Sequence, residues 1–307
     1  MTNERQQSRR RSVRSPSIKG GRGLLMAWVF IVPALAFYAA FVLVPIVMSI
    51  YYSLLRWDGI GKSQFYGLRN YVTVLSESDF LQILANAFQL VVYFTVIPVA
   101  IGLGVASVIR EQLSGRFGTV ARTVLFIPQV IPLVAAGIAW TWMLASNGVV
   151  NQALQLIGLG AVTRGWLGDF DFALPAVGMI GAWVLLGLCT MLLVTGIARI
   201  DASLYEAAKL DGASPWHEFR WITLPSLRQE IGVCVTVTVI AALASFDIVY
   251  IATGGGPGIQ TTVPGLEIYR LAFAHRQVGL ASALAVVLMV LVIVVVLPIQ
   301  WLTRPPK

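Results

Sequence analysis

Side chains arranged for catalysis are scarce in this sequence. It contains no G-x-x-x-x-G-K-[ST] phosphate loop, no H-E-x-x-H, no C-x-x-C and no G-x-S-x-G motif. The glycine-rich TGGGPG at 253–258 resembles a phosphate cradle only superficially, because no lysine follows it. The two histidines, His217 and His275, are separated by an apolar segment that would hold them apart. We therefore expect no catalytic residue, no metal site and no cofactor in this chain.

Polar chemistry is concentrated in one stretch, DASLYEAAKLDGASPWHEFRWITLP, which runs from Asp201 to Pro225 between two apolar runs. Ser203 and Glu206 have the S-x-x-E spacing of a capping box, which predicts a helix that begins at Ser203. Gly212 is expected to end this helix, because glycine adopts the left-handed conformation that is common at helix C-termini.

A second helix is predicted directly after this bend. Ser214 followed by Pro215 is a typical N-cap with a proline at the first helical position. Thr223 and Pro225 are expected to open the next long helix in the same way. The apolar and aromatic side chains of the stretch need a surface to cover them, either lipid headgroups or a groove on another protein. They are Leu204, Tyr205, Leu210, Trp216, Phe219 and Trp221.

The composition indicates the solvent in which these elements lie. The chain is 57% hydrophobic, with a mean hydropathy of +0.79. Its charged residues make up 12%, which is about half the fraction in a soluble domain. Several windows without Asp, Glu, Lys or Arg exceed the roughly 20 residues that cross a bilayer, and one more is interrupted only by Asp247. They predict six transmembrane helices, near 24–50, 83–108, 120–145, 173–198, 230–252 and 278–302.

Other interpretations of these windows are disfavoured. Core helices of a soluble protein need polar faces, and strands of a membrane barrel are about 10 residues long with alternating polarity. The first window is too long for a cleaved signal sequence, carries Pro33 and Pro45, and is followed by no small-residue cleavage site. The sequence therefore predicts an all-α integral membrane protein.

The basic residues predict the orientation of these helices. With a cytoplasmic N-terminus, sixteen of the 22 Lys and Arg residues lie inside, as the positive-inside rule requires. Both termini and the polar stretch are then cytoplasmic. The net charge of +8 comes largely from an Arg/Ser-rich tail over 1–22, which is predicted to be disordered and to contact membrane lipid. No nucleic-acid partner is expected, because a folded basic surface with aromatic platforms is missing. Cys189 and Cys234 fall inside spans and are expected to be packing residues.

One motif in the polar stretch resembles a known family. Its spacing matches the E-A-A-x3-G-x9-I-x-L-P motif of importer permeases of the ATP-binding-cassette (ABC) class. In that family the loop is a coupling helix that inserts into a cleft of a cytoplasmic ATPase. The resemblance implies a type I importer permease with six transmembrane helices. Glu206 is expected to meet a basic residue of the ATPase, to cap its own helix with Ser203, or to do both. The residues that the resemblance assigns to docking are Glu206, Ala207, Ala208, Gly212, Ile222, Leu224 and Pro225.

Further segments are similar to carbohydrate-type permeases, specifically their first, maltose-permease-like subunit. They are FYGLRNY at 65–71, FDIVYIATGGGPGIQTT at 246–262, and YRLAF followed by VGLASALAVVLMV. Asp201 and Gln229 stand where this family often has proline. The resemblance implies a second homologous permease, two ATP-binding-cassette subunits that bind the ATP, and an extracytoplasmic solute-binding protein, in a bacterial or archaeal cytoplasmic membrane. It implies a permease domain over 23–307, with a core at 83–303 and a coupling loop at 199–229.

Polar and aromatic side chains inside the predicted spans are candidates for the solute pathway, because they are costly in lipid. Aromatic rings beside hydrogen-bonding groups suit a sugar. The same residues could bridge helices or anchor the membrane interface. The candidates are Asn86, Gln89 and Tyr93 on one helical face, with Gln129, Trp140, Ser245, Asp247 and Tyr250.

The sequence therefore predicts a non-enzymatic subunit that imports a sugar with an ATPase partner. A permease for a non-sugar solute such as glycerol phosphate is one alternative. A secondary transporter would need intramembrane charge and often has inverted repeats, whereas Asp247 is the sole acid inside the spans and no repeat is evident. A membrane enzyme would need a catalytic cluster, and none appears in the sequence.

Overall fold

The computed structural model describes residues 21–109 and 116–303, and the chain divides into two units, residues 1–48 and 49–307. The first unit is described from helix α1 (Gly21–Tyr38) through a π-helical turn (Ala39–Leu43) into α2 (Val44–Ser53). The predicted basic tail falls almost entirely outside the described residues.

The second unit consists of helices that are joined by loops and one two-stranded hairpin. In chain order its elements are β1 (Leu55–Arg56), β2 (Gln64–Phe65), α3 (Arg69–Ser76), α4 (Ser78–Ile109), α5 (Arg116–Val130), α6 (Leu133–Met143), α7 (Val149–Leu156), α8 (Ala173–Ile197), α9 (Ala202–Leu210), α10 (Pro215–Glu218), α11 (Leu224–Ser226), α12 (Arg228–Leu243), α13 (Asp247–Ala252), α14 (Pro264–Tyr269) and α15 (Val278–Leu302). A π-helical turn joins α10 to α11, and another extends α14 over Arg270–Ala274.

Helices α4 and α8 form the centre of the main core. Small residues on α8 let the two helices approach closely, because any β-carbon at Gly178 or Gly181 would overlap the rings of Tyr93 or Phe94. Such small-residue contacts are the usual means by which membrane helices pack. The core continues onto α13 and α14, and its apolar side chains include the fully buried Ile180.

A second apolar cluster lies among α4, α8 and α12 and contains both cysteines. The Cys234 Sγ lies 3.9 Å from the carbonyl oxygen of Cys189. Both are buried free thiols, which confirms the predicted packing role.

Six spans are present if each bent helix pair counts as one. Among the described residues, four helices are long and apolar enough to span a membrane alone: Trp28–Ser53, Ser78–Val108, Ala173–Ile197 and Val278–Leu302. Two more candidates are bent pairs, Arg122–Val130 with Leu133–Met143 at 103°, and Pro215–Ser226 with Arg228–Leu243 at 69°.

The third and fifth spans were predicted as continuous helices, and this was wrong. The predicted span at 120–145 breaks after Val130 and restarts behind Pro132, because a proline has no N–H and disfavours a helical residue before it. The predicted span at 230–252 ends at Leu243 and resumes at Asp247 as the six-residue α13. The second span begins at Ser78, five residues earlier than expected.

Candidate docking loop and translocation cavity

The first helix of the polar stretch is capped by a residue other than the one predicted. Helix α9 has Asp201 as its N-cap, and the Asp201 carboxylate accepts a hydrogen bond from the Ser203 backbone N–H at 3.0 Å. This N–H, together with the Ser203 hydroxyl, holds the pKa of Asp201 below its ordinary value of 3.8. The predicted capping box of Ser203 with Glu206 is wrong, because Ser203 already lies inside the helix. Asp201, which departs from the family pattern, supplies the cap.

The bend at Gly212 is confirmed. Its φ of +76° lies in the left-handed region, its N–H donates to the Lys209 carbonyl at 3.1 Å, and the Ala213 N–H donates to the Ala208 carbonyl at 2.9 Å. These bonds satisfy carbonyl groups at the end of α9. A β-carbon at Gly212 would meet no atom within 4 Å, so the backbone conformation, not a lack of space, requires glycine here.

The start of the second helix was predicted in part. Pro215 occupies the first helical position as expected. Ser214 does not cap the backbone with its side chain, since its hydroxyl instead pairs with His217 Nδ1 at 2.8 Å.

The second helix extends further than expected. It continues through its π-helical turn to Ser226, so Thr223 and Pro225 do not open the fifth span. That span begins at Arg228, after a 69° bend at Leu227. The polar stretch is therefore a pair of helices that ends at the 69° bend before α12.

One buried hydrogen bond joins the two helices of this loop. The Tyr205 hydroxyl lies 2.9 Å from Thr223 Oγ1, and these residues are only 7% and 2% exposed. Thr223 Oγ1 also donates to the Glu218 carbonyl at 3.4 Å. Tyr205 was predicted among the side chains that need an external surface, but it is buried inside the loop itself. Burial strengthens the bond, because water does not compete for it.

Other apolar side chains of the loop are exposed, as expected. Leu210 is 89% exposed, Trp216 67% and Trp221 68%, and Trp216 stacks on Phe219 with ring centroids 5.7 Å apart. An exposed apolar surface of this kind marks an interaction site. We call the exposed set Leu204, Leu210, Trp216 and Trp221 the docking patch. Of the motif residues, Glu206, Ala207, Gly212 and Pro225 are exposed, while Ala208, Ile222 and Leu224 are half-buried.

The loop is fixed to the ends of three spans. Gly196 near the end of α8 packs so tightly that a β-carbon there would lie 2.7 Å from Leu227 and from Glu230. Arg199 forms an ion pair with Glu230 at 3.8 Å. The Arg228 guanidinium donates to the carbonyl oxygen at the end of α15. These contacts join the ends of α8, α12 and α15 at the two flanks of the loop.

A cavity of about 330 Å³ lies where the two broken spans meet. Its lining comes from both sides of the α5–α6 break and from the α12–α13 break. It brings together three of the predicted pathway residues, Gln129, Ser245 and Asp247. Breaks in membrane helices commonly border solute sites, because the free helix ends present unpaired backbone groups there.

Gln129 carries an unsatisfied polar atom at this cavity. Its amide oxygen is buried and has no hydrogen-bond partner among the described residues. Such a group costs about 1–3 kcal/mol, and its presence in a native protein calls for an explanation. Gln129 also lines the cavity, so its amide is a candidate hydrogen-bonding group for a solute.

Known proteins share this architecture. Residues 97–304 match the family described as "Binding-protein-dependent transport system inner membrane component". The chain is 36% identical over 269 residues to the probable ABC transporter permease protein YurN of Bacillus subtilis (strain 168). The matched residues cover 87% of this chain and 92% of that protein. The chain belongs to this family of ABC transporter permeases. It is a multi-pass inner-membrane transport subunit, not an enzyme itself, of a system that works with a binding protein.

Two further relatives agree in sequence and in fold. The permease is 34% identical over 277 residues to the trehalose/maltose transport system permease protein MalF of Thermococcus litoralis, with 87% of this chain and 90% of that protein covered. A crystal structure of a bacterial ABC transporter that imports the acidic polysaccharide alginate contains a chain with a TM-score of 0.78 at 23% identity, covering 92% of this chain and 96% of that one. The predicted helical membrane permease fold is confirmed.

Asn86 of the permease was a candidate for either the solute pathway or a bridge between elements, and its contacts favour the bridge. The residue is fully buried. Its amide donates to the carbonyls of Ile259 and Thr262 at 3.0 and 2.9 Å and accepts from Gln82 at 2.8 Å. Asn86 therefore fastens the 253–262 loop to α4 and has no free face for a solute.

The other predicted pathway residues lie in different surroundings. Gln89 is exposed on α4, and Tyr93 is half-buried in the α4–α8 core. Trp140 packs edge-on against Trp183 with centroids 5.5 Å apart. None of these lines the cavity at the helix breaks, so the structure brings together three of the eight candidates.

A row of aromatic rings extends from the cavity, and only one of its members, Tyr250, was predicted from the sequence. Phe246 lines the cavity and stacks on Tyr250 at 5.3 Å. Tyr269 lies 5.6 Å from Phe246 and 5.8 Å from Tyr250, and Phe273 lies 5.3 Å from Tyr269. The i, i+4 spacing within each pair was the available sequence signal. We call Phe246, Tyr250, Tyr269 and Phe273 the aromatic row.

The glycine-rich segment behind this row is a tightly bonded loop. Thr253 and Thr261 hydroxyls lie 2.7 Å apart, and the Arg270 guanidinium donates to the Gly254 carbonyl. Together with the Asn86 bonds, these contacts hold the 253–262 loop against α4 and α14. The sequence TGGGPG serves this loop geometry, since three of its glycines have positive φ.

Proposed function

We propose that the permease forms one half of the translocation pathway of an ATP-driven importer for sugars or short oligosaccharides. The names of its relatives give trehalose and maltose as one set of solutes and alginate as another. The cavity supports this class, because it combines aromatic surface with a few hydrogen-bonding groups, as sugar sites need. Glycerol phosphate is the alternative solute that the uptake experiment below tests.

The docking loop is the observation that carries the proposal. Its helices are joined through Tyr205 and Thr223, its apolar patch is exposed, and its ends are fixed to three spans. We infer that it inserts into a groove on a separate ATPase subunit, which binds and hydrolyses the ATP. The docking element that we propose is Glu206, Ala207, Ala208, Gly212, Ile222, Leu224 and Pro225, flanked by the docking patch.

The proposed assembly contains a second, homologous permease, two ATP-binding-cassette subunits and the extracytoplasmic binding protein. One set of six helices does not easily enclose a sugar, and α12 exposes Val233 and Ile240 at 45% and 40%, which supports a partner permease against this helix. We place both termini and the docking loop in the cytoplasm, since this orientation puts most Lys and Arg residues inside. The permease domain then covers 23–307 behind a basic tail that can contact lipid.

Solute is proposed to pass the cavity at the helix breaks. Gln129 can accept a hydrogen bond from a sugar hydroxyl, while Ser245 and Asp247 offer a hydroxyl and a carboxylate. The aromatic row continues from Phe246 towards Phe273, and its faces suit the apolar faces of a pyranose ring.

The docking assignment is tested with Glu206→Lys and Gly212→Pro in the transporter reconstituted with its ATPase and binding protein. Lysine reverses charge in the docking element, and proline cannot adopt a φ of +76° or donate its N–H. Solute-stimulated ATP hydrolysis and uptake should fall together, while membrane insertion and the binding protein's affinity stay unchanged. Glu206→Gln and Gly212→Asn are matched controls, because asparagine tolerates the left-handed conformation.

Normal uptake by both variants at wild-type expression would reject the docking role and favour a helix that lies on lipid. Uptake of radiolabelled maltose, trehalose and glycerol phosphate by the same vesicles decides the solute class. Saturable uptake of glycerol phosphate alone would overturn the sugar assignment.

A further inference from the structure

A second cavity, of about 690 Å³, lies between the β1–β2 hairpin and the start of α15. It does not share a single lining residue with the cavity at the helix breaks. Three cationic side chains line it, Arg56, Lys62 and Arg276, against one carboxylate, that of Asp58. All four are exposed in the structure. The function proposed above gives this cavity no role.

The positive charge of this cavity is only partly neutralised by the protein, since three cations face one carboxylate. Neither Arg56, Lys62 nor Arg276 forms an ion pair within the described ranges 21–109 and 116–303. The Asp58 carboxylate accepts hydrogen bonds from the backbone N–H groups of Ile60 and Gly61 at 3.0 and 2.7 Å. These bonds, and to a lesser extent the charge of Arg276, hold the pKa of Asp58 below its ordinary value. The Asp58 carboxylate is therefore hydrogen-bonded within its own turn.

The fold holds this cluster in place at a conformational cost. Arg276 has a φ of +53° and is the one non-glycine residue with positive φ in the described part of the chain, a conformation that arginine rarely adopts. Its neighbours are hydrogen-bonded on both sides: the His275 N–H donates to the Arg270 carbonyl at 2.8 Å, and the Gly279 N–H donates to the Trp57 carbonyl at 3.2 Å. The hairpin and the start of α15 therefore move as one piece.

The cavity lies at the level where a membrane span ends. Helix α2 ends at Ser53 and α15 begins at Val278, directly beside the residues that line it. Tyr52 packs on Trp57 there with ring centroids 4.8 Å apart. Tyrosine and tryptophan are enriched at the headgroup layer of a bilayer, so the cluster of cations faces headgroups and not bulk water.

We propose that this cavity binds the phosphate headgroup of an anionic phospholipid such as phosphatidylglycerol. The guanidinium groups of Arg56 and Arg276 supply the forked donors that match a phosphate, and Lys62 adds a point charge. Gln64, Tyr66 and Gln277 in the same lining add hydrogen-bonding groups for the glycerol part. The chemistry is independent of the proposed sugar import. With the proposed orientation the bound lipid belongs to the outer leaflet, and only this assignment rests on that orientation.

The test uses the assembled transporter in nanodiscs of phosphatidylcholine with or without phosphatidylglycerol, followed by native mass spectrometry of lipids retained after release. A cation near a membrane surface contributes about 1 kcal/mol to binding an anionic lipid, or about a five-fold change in affinity. Arg276→Gln and Lys62→Gln should each weaken retention of phosphatidylglycerol by about this factor and leave retention of phosphatidylcholine unchanged. Lys62→Gln keeps the test valid if a change at Arg276 disturbs the fold.

Arg164→Gln is the matched control, because Arg164 is already paired with Asp169 at 3.6 Å and lies 4.1 Å from the Phe172 ring centroid. It should not alter lipid retention. Equal retention of both lipids by the wild type, or no effect of either variant, overturns the proposal. Full displacement of the lipid by soluble glycerol phosphate identifies a free phosphate as the ligand and overturns the lipid assignment. Loss of binding-protein-stimulated ATP hydrolysis by the variants in pure phosphatidylcholine would instead make the cavity a contact for an acidic protein surface.

Discussion

The bond between Tyr205 and Thr223 allows a sharp test of how the docking loop works. Tyr205→Phe keeps the aromatic ring and removes the hydroxyl, and with it the 2.9 Å contact with Thr223. Removing one buried, neutral hydrogen bond costs about 1 kcal/mol. If the bond holds the two helices together, the open form of the loop becomes about five times more populated.

Hydrogen exchange measured on the intact transporter should report this change. Amides of α9 and of the second helix should exchange about five-fold faster in Tyr205→Phe, since local opening governs their exchange, while amides of α8 and α15 remain unchanged. Solute-stimulated ATP hydrolysis should fall in the same variant, because a loosened loop transmits less of the ATPase movement.

Leu210→Ala provides the matched contrast, because Leu210 is 89% exposed in the same loop. It should leave the exchange rates unchanged and weaken only the association with the ATPase. Unchanged exchange in Tyr205→Phe would refute the role of the bond in joining the helices. Faster exchange with full ATP coupling would refute the idea that coupling requires a rigid loop.

Three further predictions concern the cavity and the packing. Gln129→Leu removes a buried unsatisfied oxygen, so the free energy of unfolding of the purified permease should stay the same or rise by about 1 kcal/mol, while solute uptake falls. A loss of both stability and uptake would contradict a pathway role. Tyr269→Leu should raise the KM for uptake, and Tyr269→Phe, which keeps the ring, should not; equal effects would point to the hydroxyl. Gly279→Ala should destabilise the permease by about 1–3 kcal/mol or more in thermal unfolding, because its β-carbon would overlap the Leu55 carbonyl, whereas Gly104→Ala, with no atom within 4 Å, should not.

Hydropathy predicted the spans well where a single apolar run had no competing signal. The fourth and sixth spans begin and end within one residue of the expected positions, at Ala173–Ile197 and Val278–Leu302. A break does not change hydropathy, so hydropathy alone did not reveal the breaks at 131–132 and 244–246, which lie in runs that are apolar on both sides. Pro132 was the visible signal for the first break.

The docking loop was predicted in outline but not in its contacts. Gly212 was recognisable, because the left-handed conformation favours glycine regardless of its neighbours. The cap was not, since Asp201 and Ser203 are both good N-caps and the path of the chain out of α8 selects between them. Tyr205 was assigned to an outer surface for a similar reason, because only the tertiary fold brings its hydroxyl to Thr223.

The two failures of span continuity fall at the same place, and this has a mechanical consequence. Helix α12 begins at the docking loop and, being sixteen residues long, extends about 24 Å at 1.5 Å per residue to the cavity. There it stops, and α13 packs instead against α6, where Gly137 leaves room for Ile251. A helix that continued to residue 252 would move the α13 side of the cavity together with the docking loop. If the loop docks as proposed, the break at 244–246 lets α12 tilt while the aromatic row is held by the bonded 253–262 loop, so that one side of the cavity would move against the other.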